Sequence, residues 1–214
     1  MTNDGLEHYI KMYNSGNWDV PVSRYRLGSN VVLARVWSNY PSGAVVNEDS
    51  YKFYFIENGT ECVAIVFEMG TYDLHWLVVE SMRKKGYLHN ALKETVLPFM
   101  FTDGRTEQRA SADSEDNISY LLRQGFEERI DNGETAYYIS SDKVKPFDKT
   151  LVQRTPLSDD EFMKISQQLF KLAGELRIIR DQVECAYGDD CYIEEVANEI
   201  MGLGHDVEYK CKKT

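Results

Sequence analysis

The sequence predicts an α/β fold of the α+β type: a mixed, largely antiparallel sheet flanked by helices, followed by a C-terminal helical hairpin. Two apolar runs meet at an Asn-Gly turn, strand-like and helix-like segments alternate over residues 72–140, and a long helix-periodic apolar stripe follows. A chain of 214 residues, 43% of them apolar, is large enough for one good-sized core and a smaller extension. We therefore expect a core domain over 1–145 and a linker with a helical extension over 146–214.

The first fifty residues carry the weakest pattern. Apolar residues at helical spacing predict a short helix over 6–13 that ends at Asn14–Asn17. Val31–Trp37 is rich in β-branched and apolar residues, which predicts a strand. Tyr40–Gly43, which contains Pro and Gly, predicts a turn.

A hairpin is the clearest local signal in the first half of the chain. Tyr51–Ile56 and Glu61–Glu68 are apolar strand-like runs on either side of Asn58-Gly59. Asn-Gly supplies the positive φ angles of a type I′ turn, which we therefore expect here. Tyr72–Val79 is predicted as a third strand.

The following segments alternate between helix and strand. Pro98 lies inside a helical pattern and should kink or shorten its last turn, because proline lacks the backbone donor. Glycine at 125 is placed to end a helix. The predicted elements are a helix over Tyr87–Phe101, a strand over Arg105–Ala112, a helix over Ser114–Gln124, and strands over Glu127–Asp131 and Thr135–Ser140 joined through Asn132-Gly133.

The C-terminal part predicts two helices after a polar linker over Ser141–Pro156. Ser158 and Glu161 form a capping box, and an apolar stripe extends from Phe162 to Val183. A second helix is expected at about Cys191–Met201. The hairpin over 157–203 either packs on its own domain or forms a homodimer surface.

Charge and composition exclude several classes of function. A net charge of −11 disfavours nonspecific nucleic-acid binding, which needs Lys and Arg to replace counterions. The acidic balance fits a cationic acceptor, but it is also typical of ordinary soluble proteins. No apolar run reaches the roughly 18 residues of a membrane span, and the polar N-terminus lacks the apolar stretch of a signal peptide, so we expect a cytoplasmic protein without membrane contact.

The cysteines are expected to be reduced thiols in that compartment. Cys185, Cys191, His205 and Cys211 lie close together in sequence, but their spacing differs from the Cys-x₂₋₄-Cys pairs of structural zinc sites. We therefore predict no metal.

A basic loop that contains a glycine follows the third predicted strand, Tyr72–Val79. Arg83, Lys84 and Lys85 precede Gly86, and a helix is predicted to begin directly afterwards. Backbone N–H groups and the helix dipole at such a start favour an anion, and glycine allows a phosphate to approach the backbone. The loop therefore indicates a pyrophosphate site, with a solvated basic loop as the alternative.

Two motifs together resemble the GNAT N-acetyltransferase superfamily. Arg83 and Gly86 match its Gln/Arg-x-x-Gly-x-Gly/Ala acyl-CoA loop, and Arg123–Phe126 resembles the Lys/Arg-x-Gly-Phe ending of its second helical motif. The order of elements between them also matches, and the resemblance covers roughly residues 50–140.

The resemblance implies binding of acetyl-CoA, or another acyl-CoA, as a co-substrate. The pantetheine arm would bond to the backbone near Val78 and Val79, and the pyrophosphate would lie on amides of Arg83–Leu88, which include Tyr87. Asn117 is assigned to the same cofactor site. The implied reaction is direct acyl transfer, most simply of acetyl, to a small-molecule or protein amine in a ternary complex.

The sequence departs from the family pattern at three places. Leu88 replaces the last small residue of the loop, so its side chain must point away from the phosphates. Leu121 occupies the position of the usual general-acid tyrosine. The adjacent Tyr120 is turned about 100° around the helix and is a candidate acid, with a packing residue as the alternative. Residues 37–50 are too few for the pair of helices that forms one wall of the acceptor site.

The candidate bases lie on the third strand. Asp73 and His75 alternate on one face, and histidine is a residue type suited to base chemistry. Leu77 and Val79 share that face, so a partly buried, hydrogen-bonded His75 without a catalytic role is the alternative. Glu68, expected at a solvated strand end, is a third candidate.

Three interpretations remain open from sequence. The first is an N-acetyltransferase. The second is a catalytically weak or inactive module of the same fold that associates through its C-terminal helices, and Leu121 favours it. The third is a plain α/β scaffold without CoA binding. The sequence does not name the acceptor or the acyl length.

Overall fold

The computed structural model describes residues 1–37, 50–131 and 133–211. The chain forms two compact units, Met1–Arg154 and Thr155–Thr214. The predicted α+β class is confirmed, with antiparallel strands, flanking helices and a C-terminal helical hairpin. The turn predicted at Tyr40–Gly43 and Asn132 of the second Asn-Gly pair lie outside the described residues.

The first unit holds two sheets and the shorter helices. Its strands are β1 (Val22–Leu27), β2 (Val31–Val36), β3 (Tyr51–Asn58), β4 (Glu61–Met69), β5 (Asp73–Val78), β6 (Glu107–Ala110), β7 (Glu127–Asp131), β8 (Glu134–Ser140) and β9 (Val152–Gln153). Its α-helices are α1 (Asn3–Ser15), α2 (Tyr87–Ala91), α3 (Leu97–Met100) and α4 (Glu115–Gln124), with a π-helical segment at Leu92–Val96 and 3₁₀ turns at Glu80–Met82, Phe101–Asp103, Ser141–Lys143 and Lys149–Leu151.

The larger sheet is antiparallel, with strand order β5-β4-β3-β2-β1-β9. Because successive side chains of a strand point to opposite faces, β3 serves two separate cores. Phe53 and Phe55 pack towards α1, whereas Tyr54 and Ile56 pack with residues of α2 and α3. Helices therefore cover both faces of this sheet.

The smaller sheet has the order β6-β8-β7. Helix α4 precedes β7 and begins at Ser114, whose hydroxyl accepts a hydrogen bond from the Asn117 N–H. It ends at Gly125 with φ of 95°, a left-handed conformation that glycine adopts without steric cost. Strands β5 and β6, each at the end of its own sheet, lie next to each other.

The first hairpin forms as predicted, but its turn is not type I′. A type I′ turn requires positive φ at both central residues, and here Gly59 alone has it, with φ of 70°. Asn58 remains in β3 and pairs with Glu61, so Gly59 and Thr60 form the two-residue connection.

Pro98 alters its helix one turn earlier than expected. The π-helical segment Leu92–Val96 precedes α3, in which Pro98 occupies one of the first two positions. The proline has no N–H and its ring collides with the carbonyl four residues before it, which explains why the α-helical pattern is interrupted there.

The sequence pattern missed β1 and β9. Strand β1 alternates polar and apolar residues only weakly, and the two residues of β9 fall in the predicted linker. Both are defined by pairing: Arg26 and Leu27 of β1 pair with Gln153 and Val152.

The second unit is a hairpin of α5 (Asp159–Tyr187) and α6 (Ile193–Cys211). The predicted capping box is present, with reciprocal hydrogen bonds between Ser158 and Glu161. Helix α6 is longer than predicted. Small residues make up the buried contact between the helices, namely Ser166, Ala173, Ala197 and Gly204. Among the described residues, no helix is both long and apolar enough to cross a membrane.

Candidate functional site

A cleft opens where the two sheets separate. At one end β5 and β6 are held together, because the Asp73 carboxylate accepts hydrogen bonds from the N–H of Ser111 (2.8 Å) and of Leu74 (2.9 Å). The Arg109 guanidinium also donates to the Tyr72 carbonyl (3.0 Å). From Asp73 onward, β5 and the segment that follows β6 line a cavity of about 1060 Å³. We call this cavity the cleft.

One wall of the cleft is the edge of β5 with which no other described strand pairs. This strand is hydrogen-bonded to β4 and ends its sheet, so its other backbone edge faces away from β4. Edge strands present free N–H and C=O groups that pair with an added extended chain. Residues 73–78, the whole of β5, line the cleft.

The 3₁₀ turn Glu80–Met82 joins β5 to the basic loop. Lys84 (φ 62°) and Gly86 (φ 85°) have left-handed backbone conformations, and Gly86 is the N-cap of α2 without a side-chain capping bond. The first N–H groups of a helix have no intrahelical acceptor, so those beginning at Tyr87 are available to a ligand. Arg83 and Lys84 line the same end of the cleft.

The bulky Leu88 in this loop does not obstruct the helix start. Its side chain is 7% exposed and belongs to the core between the larger sheet and α2. The requirement drawn from the sequence, that this side chain point away from the loop, is therefore met.

An aromatic pair in the cleft lining joins β5 to α4. The rings of Trp76 and Tyr120 lie with centroids 5.7 Å apart. The Tyr120 hydroxyl oxygen accepts a hydrogen bond from Gln124 Nε2 (2.9 Å), and burial raises the pKa of Tyr120 well above its usual value. Leu121 is buried in the core, so Tyr120 is the residue of α4 that brings a hydroxyl to the cleft.

His75 lies on the other face of β5, towards α1. It shares that face with Leu77 and Val79, which pack in the core beneath α1. The ring is partly buried and its Nε2 lies 3.2 Å from the Asn3 side-chain oxygen. Asn3 also lines the cleft, so the start of α1 borders the site on this side.

The structure brings most of the predicted site residues together. The cleft is lined by the candidates Asp73, His75, Val78, Arg83, Lys84, Gly86, Tyr87, Leu88, Asn117 and Tyr120. Three candidates do not line it, namely Val79, Lys85 and Glu68. The Val79 N–H donates to the Val63 carbonyl of β4 (2.9 Å), and the Lys85 ammonium lies 3.5 Å from the Met82 sulfur.

Glu68 is a correction to the sequence analysis. Instead of a solvated strand end, it is a buried carboxylate that pairs with Arg105 (2.6 Å) and accepts a hydrogen bond from the Tyr54 hydroxyl (2.6 Å). It lies outside the cleft lining and is already occupied by these partners. It is therefore not a candidate base.

Several lining residues were missed from sequence. Arg123 lies three residues after Tyr120, a spacing that puts both on one side of a helix, and Trp76 alternates with Val78 on β5. These two could have been found from periodicity. Asn3 comes from a distant helix, and no local signal indicates it.

Within the described parts of the chain, no group of three or more His, Cys, Asp or Glu side chains is arranged to hold a metal ion. No protein-family model matches the sequence, and no curated protein is significantly similar to it.

Proposed function

We propose that the chain is an acyl-CoA-dependent N-acyltransferase of the GNAT type that transfers acetyl from acetyl-CoA to an amine. One observation supports this most strongly: a single cleft holds a strand edge that no other described strand covers, followed after the 3₁₀ turn Glu80–Met82 by a basic loop and an uncapped helix start. An extended arm with amide groups and a pyrophosphate at its end has complementary chemistry.

Charge and backbone geometry indicate where each part of the ligand would lie along the cleft. Helix N–H groups after Gly86, with Arg83, Lys84 and Arg123, suit a pyrophosphate. The edge of β5 near Val78 suits the amides of the pantetheine arm. The thioester would then lie further along β5, towards Trp76.

The residues around that point can move the protons of acyl transfer. The amine nitrogen forms a bond to the acetyl carbon, and the bond between that carbon and sulfur breaks. His75 accepts the proton that the amine loses, and Tyr120 donates a proton to the departing sulfur. Asp73, the other candidate base, already accepts two backbone hydrogen bonds, so we give it the role of holding β5 beside β6.

The acceptor is proposed to enter from the α1 side. His75 and Asn3 line that side of the cleft. As a separate point, the free cysteines Cys62, Cys185 and Cys191 fit a reducing, cytoplasmic location, where acetyl-CoA is present. The start of α1 would then serve as the wall that residues 37–50 are too short to form.

The activity is tested by release of CoA thiol from acetyl-CoA across a panel of small amines and amine-bearing peptides. Removing a general acid or base typically lowers the rate by about 10²–10⁴-fold, so His75→Gln and Tyr120→Phe should each reduce turnover on that scale. His8→Gln, an exposed histidine on α1 outside the cleft, is the control and should keep full activity. Thiol release that no amine stimulates would overturn the proposal.

A second function, association through the hairpin, is supported by its exposed apolar residues. Leu172 and Ile179 of α5 lie two turns apart and are about half exposed, as are Val196 and Leu203 of α6. We propose that a second copy of the chain covers this surface as a homodimer. Sedimentation should show a dimer that becomes monomeric in Leu172→Glu/Ile179→Glu, and a monomeric wild type would contradict the proposal.

A further inference from the structure

We infer that Gln124 is a positioning residue that orients the Tyr120 hydroxyl so that its proton points into the cleft. The inference rests on the proposed acetyl transfer, in which Tyr120 protonates the departing sulfur. It assigns a role to the last residue of α4, which the sequence analysis did not single out.

The side chain of Gln124 lies between a residue of α2 and a residue of its own helix. It is 9% exposed. Its Nε2 is 2.7 Å from His89 Nδ1 and 2.9 Å from the Tyr120 hydroxyl oxygen. His89 and Tyr120 both line the cleft, so Gln124 supports the site from behind.

The chemistry of the amide determines where the protons are. An amide nitrogen has two hydrogens to donate and accepts none. His89 Nδ1 is therefore the acceptor of this hydrogen bond. The Tyr120 oxygen also accepts, so its own O–H must point elsewhere, and among the described residues none accepts it.

The carbonyl oxygen of the amide makes no hydrogen bond to a described residue in this orientation. Gln124 Oε1 is buried and has no hydrogen-bond partner in the described structure. Such a group costs free energy, and native structures contain few of them. The opposite amide orientation would turn Oε1 to the Tyr120 hydroxyl and bind its proton, which would remove the acid from the cleft.

This arrangement explains how the site can function with Leu121 at the usual acid position. Tyr120 precedes Leu121 by one residue and is packed against Trp76. The bond from Gln124 fixes the hydroxyl of this displaced tyrosine. A proton donor in this position neutralises the negative charge that develops on the departing sulfur.

The experiment uses hydroxylamine as the nucleophile, because it is largely neutral at physiological pH and needs little help from a base. Release of CoA from acetyl-CoA is measured with the full chain and corrected for the reaction without protein. Gln124→Met keeps the size but loses the donors, and Gln124→Glu presents oxygens that bind the hydroxyl proton. We expect both to lower kcat about tenfold or more, while the Kd for acetyl-CoA from calorimetry stays unchanged.

A double mutant separates positioning from a structural role. If Gln124 acts through Tyr120, Tyr120→Phe/Gln124→Met should be no slower than Tyr120→Phe, since the acid is already absent. Multiplying rate losses or full activity in Gln124→Met would each overturn the inference. A wild type that does not accelerate the reaction, or does not bind acetyl-CoA, would instead overturn the proposed function, so the two failures are distinguishable.

Discussion

A buried ion pair fixes the two sheets at the end opposite the cleft, and its removal should be costly. Glu68 of β4 and Arg105, just before β6, approach to 2.6 Å, with side chains 1% and 5% exposed. The same carboxylate accepts a hydrogen bond from Tyr54 (2.6 Å) and lies 3.3 Å from the Lys52 ammonium. Replacing Arg105 with Met keeps an unbranched side chain but leaves the buried carboxylate without its closest cation.

Breaking a buried pair from one side typically costs about 3–5 kcal/mol. Lys52 still lies near Glu68, so we expect about 3 kcal/mol for Arg105→Met. For a unit of this size, each kcal/mol lowers the melting temperature by roughly 2–4 °C, which gives a decrease of roughly 6–12 °C. Glu68→Gln/Arg105→Met should recover part of this loss, because no buried charge is then left unpaired.

The assay is urea unfolding followed by tryptophan fluorescence, since the three tryptophans, Trp18, Trp37 and Trp76, belong to the first unit. Arg129→Met is the matched control. Arg129 pairs with Glu107 at 2.7 Å, but the two side chains are 43% and 46% exposed, so its loss should cost about 0–1 kcal/mol. Equal losses in both variants would refute the reasoning that burial makes the difference.

Two further predictions concern packing and pH. Gly204→Ala would place a methyl group 2.7 Å from Phe170 Cε1 and should destabilise the hairpin by about 1–3 kcal/mol. Gly202→Ala in the same helix meets nothing within 4 Å and should stabilise the hairpin by about 1 kcal/mol. Circular-dichroism melting distinguishes the two variants, and equal shifts in melting temperature would contradict this packing. Burial raises the pKa of the Cys62 thiol from 9.0 to about 12, so above pH 9 the unfolded chain ionises first and stability falls by up to about 1.4 kcal/mol per pH unit from this group. Cys62→Ala should flatten that fall in urea midpoints taken below and above pH 9, and unchanged pH dependence would contradict it.

Local signals were the ones that sequence predicted well. Asn58-Gly59 located the first hairpin, and Ser158 with Glu161 located the start of α5. Such features depend on residues within one turn of one another. The type of the first turn was nevertheless wrong, because pairing extended β3 through Asn58 and moved the connection to Gly59 and Thr60.

Features that depend on distant contacts could not be predicted. The sequence predicted Glu68 at a strand end open to solvent. In the structure Glu68 is buried and pairs with Arg105, which lies far along the chain. Asn3 lines the cleft because of how α1 packs. The side chain of Gln124 is held by its contact with His89, which belongs to another helix. Alternation along a strand and spacing along a helix predict the face on which a side chain lies, but not which distant residue it contacts.

We propose that the cleft binds an acyl-CoA through the loop at Gly86, and calorimetric titration of acetyl-CoA measures this binding. In Gly86→Glu the added carboxylate would lie beside the proposed pyrophosphate. Gly104→Glu is the control, because Gly104 also has a positive φ (90° against 85°) but lies outside the cleft. We expect micromolar binding by the wild type and the control, and loss of binding in Gly86→Glu. A wild type that does not bind, or a Gly86→Glu variant that binds equally well, would contradict it.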